Sequence, residues 1–159
     1  MSGSLHLLCG KIGAGKSTMA ARLAGETGGM VIAEDHWLSS LYPGEIADLA
    51  DYRRSSERLR GAIAPLIVEM VKRGQAVILD FPANTVASRA WMKGLADAAE
   101  VTATLHFLDP PDEVCRARMH ARNASDEHPY QVDDATFDQF TAHFAVPTDD
   151  EGFTIVRYG

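Results

Sequence analysis

Residues Gly10-Lys11-Ile12-Gly13-Ala14-Gly15-Lys16-Ser17 read G-x-x-x-x-G-K-[ST] in full. Phosphate is the ligand this pattern suits. Its glycines let the backbone wrap so that successive N–H groups face inward, and a helix beginning there adds a positive partial charge toward the β- and γ-phosphates. Lys16 supplies a mobile ammonium, and Ser17 places a hydroxyl where it can hold Mg²⁺ bridging the same phosphates. The expected nucleotide-binding set is Gly10, Gly13, Ala14, Gly15, Lys16, Ser17 and Thr18, the last a capping or packing residue, while Lys11 is expected to be solvated. A chance match in a chain of this size is on the order of one in a hundred. A strand before the motif and a helix after it would make chance rarer still.

The surrounding pattern supplies that context. Apolar runs at Leu5–Cys9, Met30–Ala33, Ala76–Leu79, Ala103–Leu108 and Phe153–Tyr158 read as short buried strands bounded by Gly, Pro or Asp. Helical patterns alternate with them, which argues for an α/β fold with a parallel sheet covered by helices. The first helix is expected over Ser17–Gly25. A second runs from Arg54 to Arg73 with Leu59, Ile63, Leu66 and Met70 at helical spacing; Pro65 should bend it, and Gly61 four residues earlier eases the clash. A third spans about Val86–Ala99 after an Asn84 or Thr85 cap, and a fourth runs from Pro110 or Pro111 to near Arg122 with Asp112 and Glu113 in its first turn. The last begins near Asp134 and carries Phe137, Phe140 and Phe144 as a packing stripe.

In an open parallel sheet, ligands bind beyond the carboxyl ends of the strands. After the second strand stand Glu34-Asp35-His36-Trp37. Phosphoryl transfer to a hydroxyl needs a base, and Asp35 is the expected one, with Glu34 as competitor and an N-cap or solvated acidic turn as the plain alternative. Trp37 is expected either to wall an acceptor pocket or to pack. Asp80 closes the third strand, where an acid holds Mg²⁺ directly or through water. The loop Phe81-Pro82-Ala83-Asn84-Thr85 faces the acceptor side, and Arg89 is expected to reach an anionic acceptor unless a salt bridge takes it. Arg118 and Arg122 lie four apart on one helix face, suited to charge that spreads over γ-oxygens in a transition state, whereas Arg116 is expected to pair with Asp112 or Glu113. The polar segment 123–133 is a candidate lid. Pro147–Gly152 is expected near the adenine, and the histidines show no zinc-ligand spacing with the cysteines.

Composition narrows the classes. The chain has 159 residues, 46% hydrophobic, enough for one core without a disulfide or metal staple. Its two cysteines sit in apolar or helical patterns and are expected to be buried free thiols, with the cytoplasm as default compartment. No apolar run is long enough for a membrane span and the first residues lack a signal-peptide pattern. A net charge of -7 makes nucleic acid an unfavoured partner.

Together these residues resemble the small P-loop kinase-like proteins often labelled as AAA-domain ATP-binding proteins, similar to gluconate and shikimate kinases, chloramphenicol phosphotransferase, zeta toxins and polynucleotide kinases. The resemblance rests on Gly10 to Thr18, Asp35 with Trp37, Leu79-Asp80-Phe81 with Arg89, Arg118 with Arg122-Asn123, and Pro147 to Glu151. It implies a P-loop NTPase three-layer sandwich in one domain, a five-stranded parallel sheet ordered 2-3-1-4-5 with a small lid, ATP with Mg²⁺, and phosphoryl transfer to the hydroxyl of a small molecule. It also implies Asp35 as the base and Arg118 and Arg122 as lid arginines. The ring-forming AAA+ machines carry a second small domain that this sequence does not suggest, so their activity is not expected. Two alternatives stay open. One is a nucleotide or nucleic-acid-end kinase, for which Arg53, Arg54, Arg58 and Arg60 would bind an anionic acceptor unless they are a solvated helix face. The other is a nucleotide-binding switch with slow hydrolysis, which needs no base at position 35.

Overall fold

The computed structural model describes residues 3–125 and 132–159. In chain order the elements are β1 (Ser4–Cys9), α1 (Lys16–Thr27), β2 (Met30–Ala33), α2 (Glu34–Leu41), α3 (Leu49–Lys72), β3 (Ala76–Asp80), α4 (Val86–Ala98), β4 (Thr104–Leu108), α5 (Asp112–Ser125), α6 (Asp134–Ala142), a short 3-10 turn (Asp149–Glu151) and β5 (Thr154–Tyr158). All pairings are parallel and the order is β2-β3-β1-β4-β5, as the resemblance implied.

Alternation along the strands sorts the core into two faces. Leu5, Leu7 and Cys9 of β1, Val77 and Leu79 of β3, and Leu105 and Phe107 of β4 meet Leu59, Ile63, Ile67 and Val71 of α3 and Met92, Leu95 and Ala96 of α4. Leu8, Ile78 and Leu108 point the other way, onto Met19, Ala20 and Leu23 of α1, Cys115 and Met119 of α5, and Phe137 of α6. A three-layer sandwich follows. Each Leu or Ile so buried contributes roughly 1.5–3 kcal/mol. Both cysteines are buried and free. Among the described residues no helix is long and apolar enough to cross a membrane.

Several boundaries differ from expectation for local reasons. Residues 34–37, where no helix was expected, form the first turn of α2, where Glu34 and Asp35 complement the helix dipole. The second expected helix starts five residues early, at Leu49, because the Asp48 side chain accepts from Asp51 N–H and caps it. Pro65 is accommodated within that helix, exposed on its outer side. Of the cap candidates for α4, Thr85 is the one used, accepting from Ser88 N–H at 3.1 Å. The three phenylalanines do not form one stripe: Phe137 enters the α1–α5 core, Phe140 meets Tyr52 of α3 edge-on at 6.2 Å, and Phe144 stacks on Phe107 at 6.0 Å. The candidate lid falls largely on residues 126–131, which lie outside the described residues. At its base, Asn123 donates to Val132 O and accepts from Val132 N–H.

Candidate functional site

The loop between β1 and α1 has the backbone its glycines permit. Gly13 lies at φ +80°, and a Cβ there would stand 2.2 Å from the Cys115 carbonyl oxygen of α5, so only glycine fits. Gly15, at φ +102°, turns the chain directly into α1, whose first residue is Lys16. The Lys16 ammonium donates to the carbonyls of Gly10 (2.6 Å) and Lys11 (3.0 Å). Burial pushes it below the ordinary lysine range, and Asp80, Cys9 and Asp35 oppose that shift. Asp35 and Asp80 are thus close enough to Lys16 to act on its charge.

Ser17 donates its hydroxyl to Asp80 Oδ2 at 2.9 Å. The first turn of α1 and the end of β3 therefore present two oxygens side by side. That is the donor type Mg²⁺ prefers, and the metal characteristically completes its shell with substrate phosphate oxygens and water. No group of three or more His, Cys, Asp or Glu gathers as a metal cage among the described residues. Ser17 and Asp80 fit a cation that arrives with its nucleotide.

On the α1–α5 side a cavity of about 420 Å³ opens against the loop, lined by Ala14, Gly15, Thr18, Met19, Arg22, Leu108 and Arg118. Arg118 donates to the carbonyl of Ala14 at 3.2 Å, with a longer contact of 3.5 Å to that of Gly13. Arg122, one turn on, is half-buried; its Nε has no partner among the described residues, and its charge lowers the Lys16 pKa. Arg118 thus faces the loop, and Arg122 lies near enough to Lys16 to act on its charge. Lys11, expected in solvent, pairs with Asp112 at the start of α5 (2.6 Å), and Arg116 pairs across to Asp134 and Asp138 of α6, each at 2.8 Å, in place of its own helix.

Glu34 and Asp35 are adjacent but differently placed. Glu34 is buried, accepting from Tyr52 Oη at 2.5 Å and Ser56 Oγ at 2.7 Å, and burial raises its pKa above the ordinary value. Both its oxygens are occupied in tying α2 to α3. Asp35 is half-buried on the next position, toward Lys16. Trp37 packs on the α3–α4 core, the plainer of its two expected roles.

Arg89 does not reach an acceptor. It is 1% exposed, donating from Nε to Glu151 at 2.8 Å and from Nη1 to the carbonyls of Ala83 (2.9 Å) and Ala145 (2.8 Å). The salt bridge won because burying a guanidinium requires partners on most of its donors. The same pairing draws Pro147–Gly152 onto α4, the opposite face of the sheet from the cavity, and Thr148 and Glu151 close a capping box there. Sequence reasoning also missed Asn84 as a brace. Its side chain accepts from Gly10 N–H at 3.0 Å and its carbonyl from Ala145 N–H at 2.8 Å, fixing the entry to the phosphate loop.

Known structures share this fold. A protein of Chloroflexus aurantiacus described as a "putative kinase" superposes with TM-score 0.78 at 18% identity, over 99% of this chain and 88% of that one. Kti12 of Chaetomium thermophilum, solved with ADP-AlF3, gives 0.74 at 14% identity over 97% and 88%. A gluconokinase of Sinorhizobium meliloti gives 0.63 at 17% over 98% and 82%. A search of curated proteins finds no match. The AAA domain family (AAA_33) matches residues 5–147, from β1 past α6, and the chain belongs to that family of P-loop proteins.

Proposed function

We propose that this protein is a phosphotransferase that moves the γ-phosphoryl group of ATP to a hydroxyl of a small molecule. The observation that carries the reading is the convergence at one rim of the sheet: Lys16, the Ser17–Asp80 pair and Asp35, with Arg118 and Arg122 opposite. Kinases among the structural neighbours support it.

The phosphate loop and Lys16 hold the β- and γ-phosphates, and the cavity beside Thr18 and Arg22 takes the nucleoside end. Ser17 and Asp80 would hold Mg²⁺, which when bound neutralises phosphate charge. Lys16 exchanges its bonds to the Gly10 and Lys11 carbonyls for phosphate oxygens. Asp35 accepts the proton of the acceptor hydroxyl, leaving the acceptor oxygen to bond phosphorus as the bond to ADP breaks. Arg118 and Arg122 balance charge growing on the γ-oxygens.

Calorimetric titration with ATP·Mg²⁺ tests the nucleotide half of the reading. Lys16→Ala should fold, weaken binding and abolish turnover; unchanged affinity together with unchanged turnover would refute the loop's role.

A further inference from the structure

Around the carboxyl ends of β2 and β3 the arginines are committed. Arg89 is clamped by Glu151 and two carbonyls, and Arg60 lies over the Trp91 ring at 5.2 Å, touches Ser88 Oγ at 3.5 Å and acts on the buried Glu34 carboxylate. The side-chain amide of Asn84 is engaged at one end alone. Its Oδ1 accepts from Gly10 N–H at 3.0 Å, while Nδ2 has no partner among the described residues and is open to solvent. A backbone N–H can only donate, so the oxygen must face Gly10 and the NH2 must face away from it. Asn84 therefore holds out two donors in a fixed direction.

Three contacts fix the backbone that carries this amide. Ala83 N–H donates to Leu8 O at 3.3 Å, Ala83 O accepts from Arg89 at 2.9 Å, and Asn84 O accepts from Ala145 N–H at 2.8 Å. The cap of α4 is supplied separately, by Thr85. Gly10 is also the residue whose carbonyl accepts from the Lys16 ammonium at 2.6 Å, so Asn84 and Lys16 grip the same residue from two sides. Asp80, four residues before Asn84, ends β3, the strand beside β1. The nucleoside cavity lies on the other side of the loop, by Thr18 and Arg22. A phosphate chain running from that cavity across the loop toward Asp80 brings its last group to the Asn84 side.

Building on the phosphotransferase reading above, we infer that Asn84 touches the γ-phosphoryl group, donating from Nδ2 to one of its oxygens. The bond to Gly10 aims the amide, and the amide meets the group that leaves ADP. A neutral donor suits this place. Asp35 and Asp80 both act on Lys16 nearby, and another lysine or arginine here would be drawn to them. An amide instead presents a positive end to phosphate oxygens without a charge that a carboxylate could capture. No proton moves at Asn84: Nδ2 keeps both hydrogens, and the bonds that change remain those of phosphorus to the acceptor oxygen and to ADP.

The test is calorimetric affinity for ADP·Mg²⁺ and for the β,γ-imido analogue of ATP·Mg²⁺, in wild type, Asn84→Asp, Asn84→Ala and Thr85→Ala. Asn84→Asp keeps an oxygen for Gly10 N–H and removes both donors. Its ADP affinity should stay within about 3-fold of wild type while the analogue weakens by roughly 10-fold or more, the scale of a hydrogen bond to a charged group. Asn84→Ala gives up the brace as well, so both nucleotides should weaken, the analogue by roughly 10-fold more than ADP. Thr85→Ala, which uncaps α4 one residue on, should lower Tm and leave the ratio of the two affinities unchanged. Melting temperatures report folding; if Asn84→Ala does not fold, Asn84→Ser takes its place. Equal losses for the two nucleotides in Asn84→Ala with no change in Asn84→Asp would make Asn84 a brace alone and overturn the contact. A Thr85→Ala variant that shifts the ratio as far as the Asn84 variants overturns it too. Failure of the wild type to bind either nucleotide would instead overturn the phosphotransferase reading, and this inference with it.

Discussion

Replacing Arg89 with Met separates a structural arginine from one that binds substrate. The substitution keeps the aliphatic length but strips three hydrogen bonds, leaving the Ala83 and Ala145 carbonyls and one oxygen of Glu151 without donors. Breaking a buried ion pair by removing one partner costs roughly 3–5 kcal/mol. Glu151 keeps its second oxygen on Thr148 N–H at 2.8 Å and is 16% exposed, which places the loss toward the lower end, about 3–4 kcal/mol. For a domain of this size that is a fall in Tm of about 6–16 °C. Arg89→Lys should recover less than half, because one ammonium cannot serve Glu151 and two carbonyls in the planar fork a guanidinium provides. Thermal and urea unfolding, run beside acceptor and ATP affinities, read the outcome. A variant with Tm within 2 °C of wild type and a selective loss of acceptor affinity would refute the clamp and restore Arg89 to the acceptor site.

Asp35→Asn should lower kcat by roughly 10²-fold or more with near-normal ATP affinity, while Glu34→Gln should cost about 1–3 kcal/mol of stability through its Tyr52 and Ser56 bonds and much less kcat; steady-state kinetics with unfolding curves tell them apart, and reversed behaviour would move the base to Glu34. Replacing Arg118 or Arg122 with Ala should raise the barrier by about 2–4 kcal/mol while ATP binding weakens less; a variant with full kcat and a slightly lower Tm would end their role in transfer. His106 is stacked between His6 and Tyr158, and burial, aided by His6, lowers its pKa to about 4. The stability tied to its neutral form is complete above its ordinary value near 6.5 and is lost as pH falls toward 4, by at most about 3 kcal/mol; unfolding free energies from pH 7 to 4.5 should fall less steeply in His106→Gln, and parallel profiles would refute this.

The parts of the fold legible in sequence are those written locally. The phosphate loop is contiguous, its glycines are dictated by backbone angle and by the approach of Cys115, and strands buried on both faces show as apolar runs. Helix α2 was hidden because its eight residues begin with two acids and follow β2 without a break, so strand-end chemistry masked a helix start. Outside the phosphate-loop motif and the strand ends, side-chain roles were hardest to read where the partner lies far away in sequence. Arg89 meets Glu151 62 residues away, and Lys11 meets Asp112 101 residues away, distances no periodicity reports. Glu34 and Asp35 are equivalent as letters; the difference arises because Tyr52 and Ser56 sit one turn apart on α3 and capture only the first. The contacts of Arg60 were hidden for the same reason: Trp91 and Ser88 come from another helix.

The central claim, transfer and not hydrolysis, is tested most directly by a single-turnover reaction with γ-labelled ATP, Mg²⁺ and a panel of hydroxylated acceptors, run on wild type and Asp35→Asn. Label should appear on an organic hydroxyl in the wild type, and Asp35→Asn should retain ATP binding with transfer lost. Label released only as inorganic phosphate, at the same rate in both proteins, would contradict it and make the protein a hydrolytic nucleotide switch.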